Sequence, residues 1–565
     1  MRTAALLLAA ASLMPAQAAK RLVIVKVDGL PQDVVERDIG ELPWIRSIFV
    51  EHGAVVRNFY VRGISLSAPS WQMLDTGQHM VIRGNAEFDR NNPAHVYDYL
   101  NFFPFYVGYA RSKRTAMPGV DVLDECGIPL LIDRFAPDGR YQSMQLYQRG
   151  VHWQTLGDSV KARFEKSAHQ LIDESQTGFD LGAGIYEQEE KELIAALANP
   201  KIAYLDYYTG DFDHTAHLTN DPAVQLRVLR HLDALLGRIW TAIEASPLAG
   251  ETVLAMVSDH GMNSTPGTYS QGYDLVKFLN SPEGGGNAVI TDRHPMDEYK
   301  LKGLNPFVSY VKTGSGPPTA TIDPDGNERA AIQFLPGAKK MDYFGALTAI
   351  RVRNVVQQGV GASPVDFVAA KRADGSVLLY GDAMHQAVLE MKDGMLRYSP
   401  LTGQPEPGYP LHLYEDGVWL DGWHSEEEWF EAIHKAKYSN GLIGLSEYFR
   451  PCSLQHCRET DVDMLVFASD HWNFNVRGFN PGGNHGSFLR VSTHSVFMMA
   501  GAGIPAGLEI ERPYDSLSFV PTMLHLLGRD ERDLPGRAIT ELDGQPVLSG
   551  AGSGLGNGKR PAARL

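Results

Sequence analysis

Cysteine is scarce: Cys126, Cys452 and Cys457 are the only three in 565 residues. None stands in a Cys-x-x-Cys pair, which argues against a thiolate-held metal site. In an oxidising compartment Cys452 and Cys457 could close a small loop and leave Cys126 free. Basic residues are outnumbered, with 51 Lys and Arg against 67 Asp and Glu, for a formal net charge of −16. That deficit argues against non-specific nucleic-acid binding, which needs positive charge along the phosphate backbone. It leaves small anionic substrates open, because metal ions supply local positive charge whatever the net charge. After the N-terminus no apolar stretch reaches the ~18 residues of a membrane span. There is no internal repeat, and a content of 44% hydrophobic and 21% charged residues is that of a globular protein.

What is present begins with a secretory pattern. Arg2 supplies a charge, Ala4 to Leu13 is apolar, and Ala16-Gln17-Ala18 fits a small-residue cleavage site. No cysteine follows that site. Residues 1–18 therefore read as a signal peptide and the chain as periplasmic or secreted, without a membrane span after cleavage. At the other end, 546–565 is rich in Gly, Ser and Ala and reads as a disordered tail.

Between these ends, short apolar runs lead into polar residues. Leu22 to Val27 runs into Asp28-Gly29, Ile202 to Leu205 into the stretch 206–217, and Thr252 to Val257 into Ser258-Asp259-His260-Gly261. Such runs suit strands covered on both faces. Helical patterns alternate with them. Asp221 can cap a helix with Pro222 at its first position, and Val224, Val228, Leu232, Leu235, Leu236, Ile239 and Ile243 follow at helical spacing. Phe519 to Leu527 reads as a helix stopped by Gly528. This alternation predicts an α/β fold: a mostly parallel central sheet with helices on both faces. Residues 266–480 differ. Asp374-Gly375, Asp393-Gly394 and Asp416-Gly417 lie between strand-like runs and read as hairpins. This stretch is an expected α+β insertion that caps the site, with the core in 19–265 and 481–545.

Ligands of open α/β sheets sit outside the carboxyl ends of the strands, and there the sequence concentrates acid and imidazole. Asp28 follows the first strand, Asp213 and His217 lie four apart, Asp259 and His260 follow another strand, and His485 sits among glycines. Asp28-Gly29 alone reads as a turn and Asp213 to His217 alone as a solvated loop or cap; their joint occurrence at site-facing positions points to metal. Carboxylate and imidazole without thiolate suit catalytic zinc, and six ligands suit two ions. Ser67 stands just before an expected short helix with Pro69 in its first turn, where backbone N–H groups and the helix dipole favour an anion. A serine touching a metal can lose its proton and attack phosphorus.

The ordered set Asp28-Gly29, Ser67-Ala68-Pro69 with Thr76-Gly77, Asp213 to His217, Asp259-His260-Gly261 and His485-Gly486 resembles the alkaline phosphatase superfamily, in its type I phosphodiesterase and nucleotide pyrophosphatase branch. Pro521-Thr522 with Leu526-Leu527-Gly528 resembles a late helix of that branch. The likeness spans about 20–265 and 480–545. It implies one zinc on Asp213, His217 and His485, and a second on Asp28, Asp259 and His260 with Ser67 as nucleophile and ligand. Asn85 matches an asparagine that binds a phosphoryl oxygen, with Asn91 as competitor. His214 with Asp211 is an alternative to His217 with Asp213, less favoured by the four-residue spacing. The implied reaction is phosphate-ester hydrolysis through a phosphoserine, on a small phosphodiester or nucleotide pyrophosphate. A phosphomonoesterase and a sulfatase are the related alternatives. Trp71 after Ser70, where a sulfatase would carry Arg, argues against the sulfatase. Lys26, Arg62, Arg83, Lys113 and Arg114 could hold a doubly charged monoester, although a surface or structural role is expected of each. A non-catalytic metal-containing binding protein is the reading from another class.

Overall fold

The computed structural model of the chain describes residues 18–100, 118–150, 181–291, 311–324, 327–338, 341–353, 359–402, 409–415, 422–451, 459–474 and 482–543, with isolated positions between 152 and 158 and at 355 and 357. The secretory pattern, the C-terminal tail, Lys113, Arg114, Cys452, Cys457 and Asp416-Gly417 lie outside the described residues or at their edge. Cys126 is buried.

Seven strands form a central sheet: β1 (Arg21–Val27), β2 (Gly53–Val56), β3 (Arg140–Gln142), β4 (Tyr204–Thr209), β5 (Thr252–Ser258), β6 (Phe497–Gly501) and β7 (Leu508–Ile510), in the order β7-β2-β6-β5-β1-β4-β3. The pairs β1–β4, β1–β5, β3–β4 and β2–β7 are parallel, and β6 runs antiparallel to β5 and β2. β1 is buried along its whole length and divides its side chains by the period of two of an extended chain. Leu22 and Ile24 pack on one face with Trp71, Leu74, Val520 and Leu524. Val23, Val25 and Val27 pack on the other with Leu229, Leu232 and Leu236. Helices thus cover both faces, as the continuous apolar run predicts.

Three helices matter to the site: α1 (Ser67–Thr76), α2 (Asp211–Leu218) and α3 (Pro222–Glu244). The Asp221 side chain accepts the Ala223 N–H at 2.9 Å, with Pro222 at the first position of α3. The late helix runs Phe519–Leu526 and Gly528 follows in the left-handed region at φ +63°. No helix among the described residues is long and apolar enough to cross a membrane.

A second, ten-stranded sheet draws all its strands from between Val289 and Ala468. It is antiparallel except for the pairing of Val289–Thr291 with Ala320–Asp323. Asp374-Gly375 and Asp393-Gly394 lie in its hairpins, joining Val365–Lys371 to Val377–Tyr380 and Gln386–Lys392 to Met395–Pro400. Asp393 and Gly394 both have positive φ, 52° and 76°, as a two-residue turn matched to strand twist requires. One face of this sheet shares an apolar cluster with the chain that delivers Ser67: Phe367 and Phe467 cluster with Ile64, Leu66 and Met73. The second sheet thereby backs the nucleophile segment.

Candidate active site

Chain direction alone puts the polar residues at one edge. β1, β4 and β5 are parallel, so Asp28, α2 and Asp259-His260 all leave from their carboxyl ends. β6 is antiparallel to β5 and starts beside its carboxyl end, with Phe497 opposite Val257. The loop that precedes β6, with His485, therefore arrives at the same edge. β2 is antiparallel to β6, so the chain continues from it towards α1 and Ser67 on that side too.

Helix geometry settles the Asp213 segment. α2 is helical from Asp211, and residues four apart share a face. Asp213 is buried and His217 half-buried on that face, whereas Asp211 and His214 are exposed. The pairing is Asp213 with His217, not Asp211 with His214. Glycines let these elements approach. Gly29 has φ +67°, and a Cβ there would lie 2.7 Å from Asp213 Oδ1 and 2.8 Å from its Cβ. Gly482 and Gly483 donate their N–H groups to the carbonyls of His217 and Ala216 at 3.0 and 2.7 Å, which caps α2 and docks the His485 loop on it.

Each of the three histidines has its Nδ1 on a backbone carbonyl: His217 on Gly483 at 2.9 Å, His260 on Gly261 at 2.9 Å and His485 on Ser65 at 2.7 Å. A carbonyl only accepts, so each Nδ1 donates and each ring turns its Nε2 inward, where a neutral imidazole offers a lone pair. Those nitrogens meet each other and carboxylate oxygens. His217 Nε2 lies 3.1 Å from His485 Nε2, and Asp213 Oδ1 is 3.4 Å from both. His260 Nε2 lies 3.4 Å from Asp28 Oδ1, 3.4 Å from Asp259 Oδ2 and 3.3 Å from Ser67 Oγ. The rings of His260 and His485 stack at 3.8 Å, so the two groups adjoin. Asp28 Oδ1, Asp213 Oδ1 and Asp259 Oδ2 are buried and accept no hydrogen bond.

Lone pairs and anionic oxygens packed this way repel unless positive charge lies among them. Burial pushes the imidazoles of His217 and His260 below their ordinary value, His260 far below, so protons are poorly placed to supply it there; at His485 burial acts the same way but Asp213 outweighs it and raises the imidazole. Burial also lifts the Asp28 carboxyl to about 6 and Asp259 well above its ordinary range, each with a neighbouring carboxylate adding to the effect. Metal fits instead. Ligands about 2.0–2.1 Å from a tetrahedral zinc lie roughly 3.3 Å from one another, and these atoms stand 3.1–3.4 Å apart. Asp28, Asp259 and His260 form one group that could hold an ion, and Asp213 and His485 another in which His260 also takes part. His217 Nε2 belongs with this second group by its distances.

α1 begins at Ser67 itself, after an extended Leu66, and not one residue later. Its first turn offers few N–H groups to an anion. The Ala68 N–H donates to Asn85 Oδ1 at 3.0 Å, Pro69 has none, and Ser70 N–H donates to the Leu66 carbonyl at 3.0 Å. Asn91 is exposed and its amide bonds Glu459 at 3.1 Å. The described cations are engaged elsewhere. Lys26 is buried against Asp75 and Gln145, Arg62 against Glu447, Asp515 and Glu426, and Arg83 pairs with Asp461 at 2.8 Å.

Several neighbours of the cluster were given no site role from the sequence. Tyr208 O–H donates to Asp28 Oδ2 at 2.7 Å, and Trp71 Nε1–H reaches the same oxygen at 3.3 Å. Trp71 is four residues after Ser67 on α1, a helical spacing that could have suggested it. Tyr208 comes in only through the register that pairs it with Lys26. Buried Glu328, just before the second-sheet strand Arg329–Phe334, accepts from Asn263 at 2.8 Å, Ser487 at 2.6 Å and Ser492 at 2.7 Å, and its N–H donates to the His485 carbonyl at 2.8 Å. It ties together the loops that carry His260 and His485.

Residues 123–331 match the family model described as Type I phosphodiesterase / nucleotide pyrophosphatase, a family within the alkaline phosphatase superfamily. The match takes in Asp213, His217, Asp259 and His260, and leaves Asp28, Ser67 and His485 outside. It is a match to phosphoric ester hydrolases, and the chain is an enzyme of that class. No curated protein matches the chain.

Proposed function

We propose that the chain is an exported two-zinc hydrolase that cleaves small phosphodiesters or nucleotide pyrophosphates through a phosphoserine on Ser67. The observation that supports this most strongly is the spacing of Ser67 Oγ and six bare ligand atoms around His260 and Asp213. Asp213, His217 and His485 would hold one zinc and Asp28, Asp259, His260 and Ser67 the other. When bound, the pair supplies Lewis acidity for the serine hydroxyl, for water and for the leaving oxygen.

The residues divide the remaining work. Ser67 presents Oγ at the amino end of α1, where the helix dipole favours an anionic substrate. Its oxygen bonds to phosphorus as the ester oxygen departs, and water then displaces it. Asn85, held beside Ser67 through the Ala68 N–H on its Oδ1, would bind a non-bridging oxygen and oppose the charge that builds there. Among the described residues, the candidate cations Lys26, Arg62 and Arg83 are engaged with other partners rather than with the site, which favours a diester over a dianionic monoester.

Turnover of bis(p-nitrophenyl) phosphate and p-nitrophenyl phosphate tests the reading. The wild type is expected to prefer the diester, to lose activity on chelation and to regain it with zinc. Ser67→Ala should lower kcat at least on the order of 10³-fold, the scale of losing a nucleophile. Turnover indifferent to chelation, or equal in Ser67→Ala, overturns it; activity on aryl sulfates alone favours the sulfatase alternative.

A further inference from the structure

We infer that Tyr208, with Trp71, is a positioning residue that commits one oxygen of Asp28 to the protein and so fixes the other, Oδ1, as a single-point ligand. This rests on the two-metal reading and extends it to residues outside the ligand set.

The two oxygens of Asp28 differ sharply. Oδ2 accepts the Tyr208 O–H at 2.7 Å and the Trp71 N–H at 3.3 Å. Oδ1 is buried, accepts no hydrogen bond and faces His260 Nε2 at 3.4 Å. Asp259 repeats the division, with Oδ1 on the Gly29 N–H at 3.1 Å and Oδ2 bare towards the same nitrogen. A carboxylate with both oxygens bare can rotate about its terminal bond and take a cation through either or both. One that is anchored through Oδ2 cannot do so without breaking that anchor.

Tyr208 is itself held from several sides. Its N–H donates to Ser143 Oγ at 2.9 Å, its backbone is fixed by pairing with Lys26 in β1, and its ring meets Trp71 edge to face at 5.9 Å. Trp71 stands on α1 one turn beyond Ser67. The Oδ2 anchor therefore joins the strand β4, the nucleophile helix and the end of β1 at one atom, and fixes Ser67 and Asp28 relative to each other. Partners that orient metal ligands affect affinity by about 10- to 100-fold when removed.

The test is zinc affinity, measured by competition with a chromogenic chelator and by metal content, on Tyr208→Phe, Trp71→Phe and Asp28→Asn. Tyr208→Phe keeps the ring and its packing, so it should keep the thermal unfolding midpoint near that of the wild type. It is expected to weaken one of two bound zinc ions about 10- to 100-fold and to leave the other unchanged. Trp71→Phe, which loses the longer bond, should weaken the same ion less. Asp28→Asn should release that ion outright. If Tyr208→Phe and Trp71→Phe bind both ions as the wild type does while Asp28→Asn loses one, the positioning role is wrong and the two-metal reading stands. If the wild type takes up no zinc, or Asp28→Asn binds as the wild type does, the two-metal reading fails and the inference falls with it.

Discussion

Gly29→Ala puts the closeness of the two ligand groups to a numerical test. Gly29 has φ +67°, where an L-residue costs roughly 1–2 kcal/mol. The new Cβ would also lie 2.7 Å from Asp213 Oδ1, 2.8 Å from its Cβ and 3.1 Å from its Cα. Unstrained carbon pairs sit at about 3.5–4.0 Å, so Asp213 must retreat by about 0.7–1 Å. Rotating its side chain gives no relief, because its Cα is crowded as well, and α2 has to move. A misplacement of about 1 Å in an active site can cost on the order of 10²-fold in rate. Gly127 provides a control: it has φ +70°, and a Cβ there meets nothing within 4 Å. Urea unfolding should show both alanine variants destabilised by about 1–2 kcal/mol from the backbone, with Gly29→Ala lower still. Diester turnover and zinc content should fall only in Gly29→Ala, with kcat/KM down on the order of 10²-fold. If Gly29→Ala and Gly127→Ala lose equal stability and both keep wild-type turnover and zinc, the approach of Asp28 and Asp213 does not depend on this glycine.

Two further predictions concern buried charge. Lys26 is 1% exposed, on Asp75 and 2.7 Å from Gln145 Oε1, with Asp206 at 3.5 Å. Lys26→Met leaves those carboxylates unpaired and should cost about 3–5 kcal/mol in urea unfolding; Lys26→Met with Asp75→Asn should recover part of it, and a loss below about 1 kcal/mol in the single variant contradicts the pairing. Burial lifts Glu189 to about 8, against which the Met144 N–H at 2.5 Å works and to which Glu192 and Asp206 add. A carboxyl raised above its unfolded value of about 4.3 contributes stability that is complete below that pH and lost as pH rises through about 8. Glu189→Gln should therefore show a shallower fall of stability between those pH values than the wild type, and parallel curves would refute the assignment.

Most of the architecture around the site was written locally. β1 and β5 announce themselves as apolar runs because both faces of a parallel sheet are covered, and each ends where a turn begins; β4 is less legible, since the apolar run at 202–205 starts before it and the strand Tyr204–Thr209 continues through a buried Asp206 into the stretch read as polar. The spacing of Asp213 and His217 selects one face of a helix without reference to the rest of the chain. Residue types at those positions are enough to suggest zinc, and their order is enough to suggest a family. The anion-binding turn at Ser67 was read less well: the sequence places donors there, but Asn85 and Leu66 accept two of them.

Tertiary structure decided what no local pattern encodes, namely distance between segments far apart in the chain. The antiparallel entry of β6 brings His485 to the carboxyl end of β5 across more than two hundred residues. Strand register sets Tyr208 on Asp28, and Glu328, just before a second-sheet strand, reaches between two loops of the core. The direction of each imidazole is likewise fixed by which carbonyl takes its Nδ1 proton. Sequence determines which groups are able to bind and react, since that is a property of the side chains. Their convergence at 3.1–3.4 Å is a property of the packed chain, because only the completed sheet and its helices hold mutually repelling donors in place.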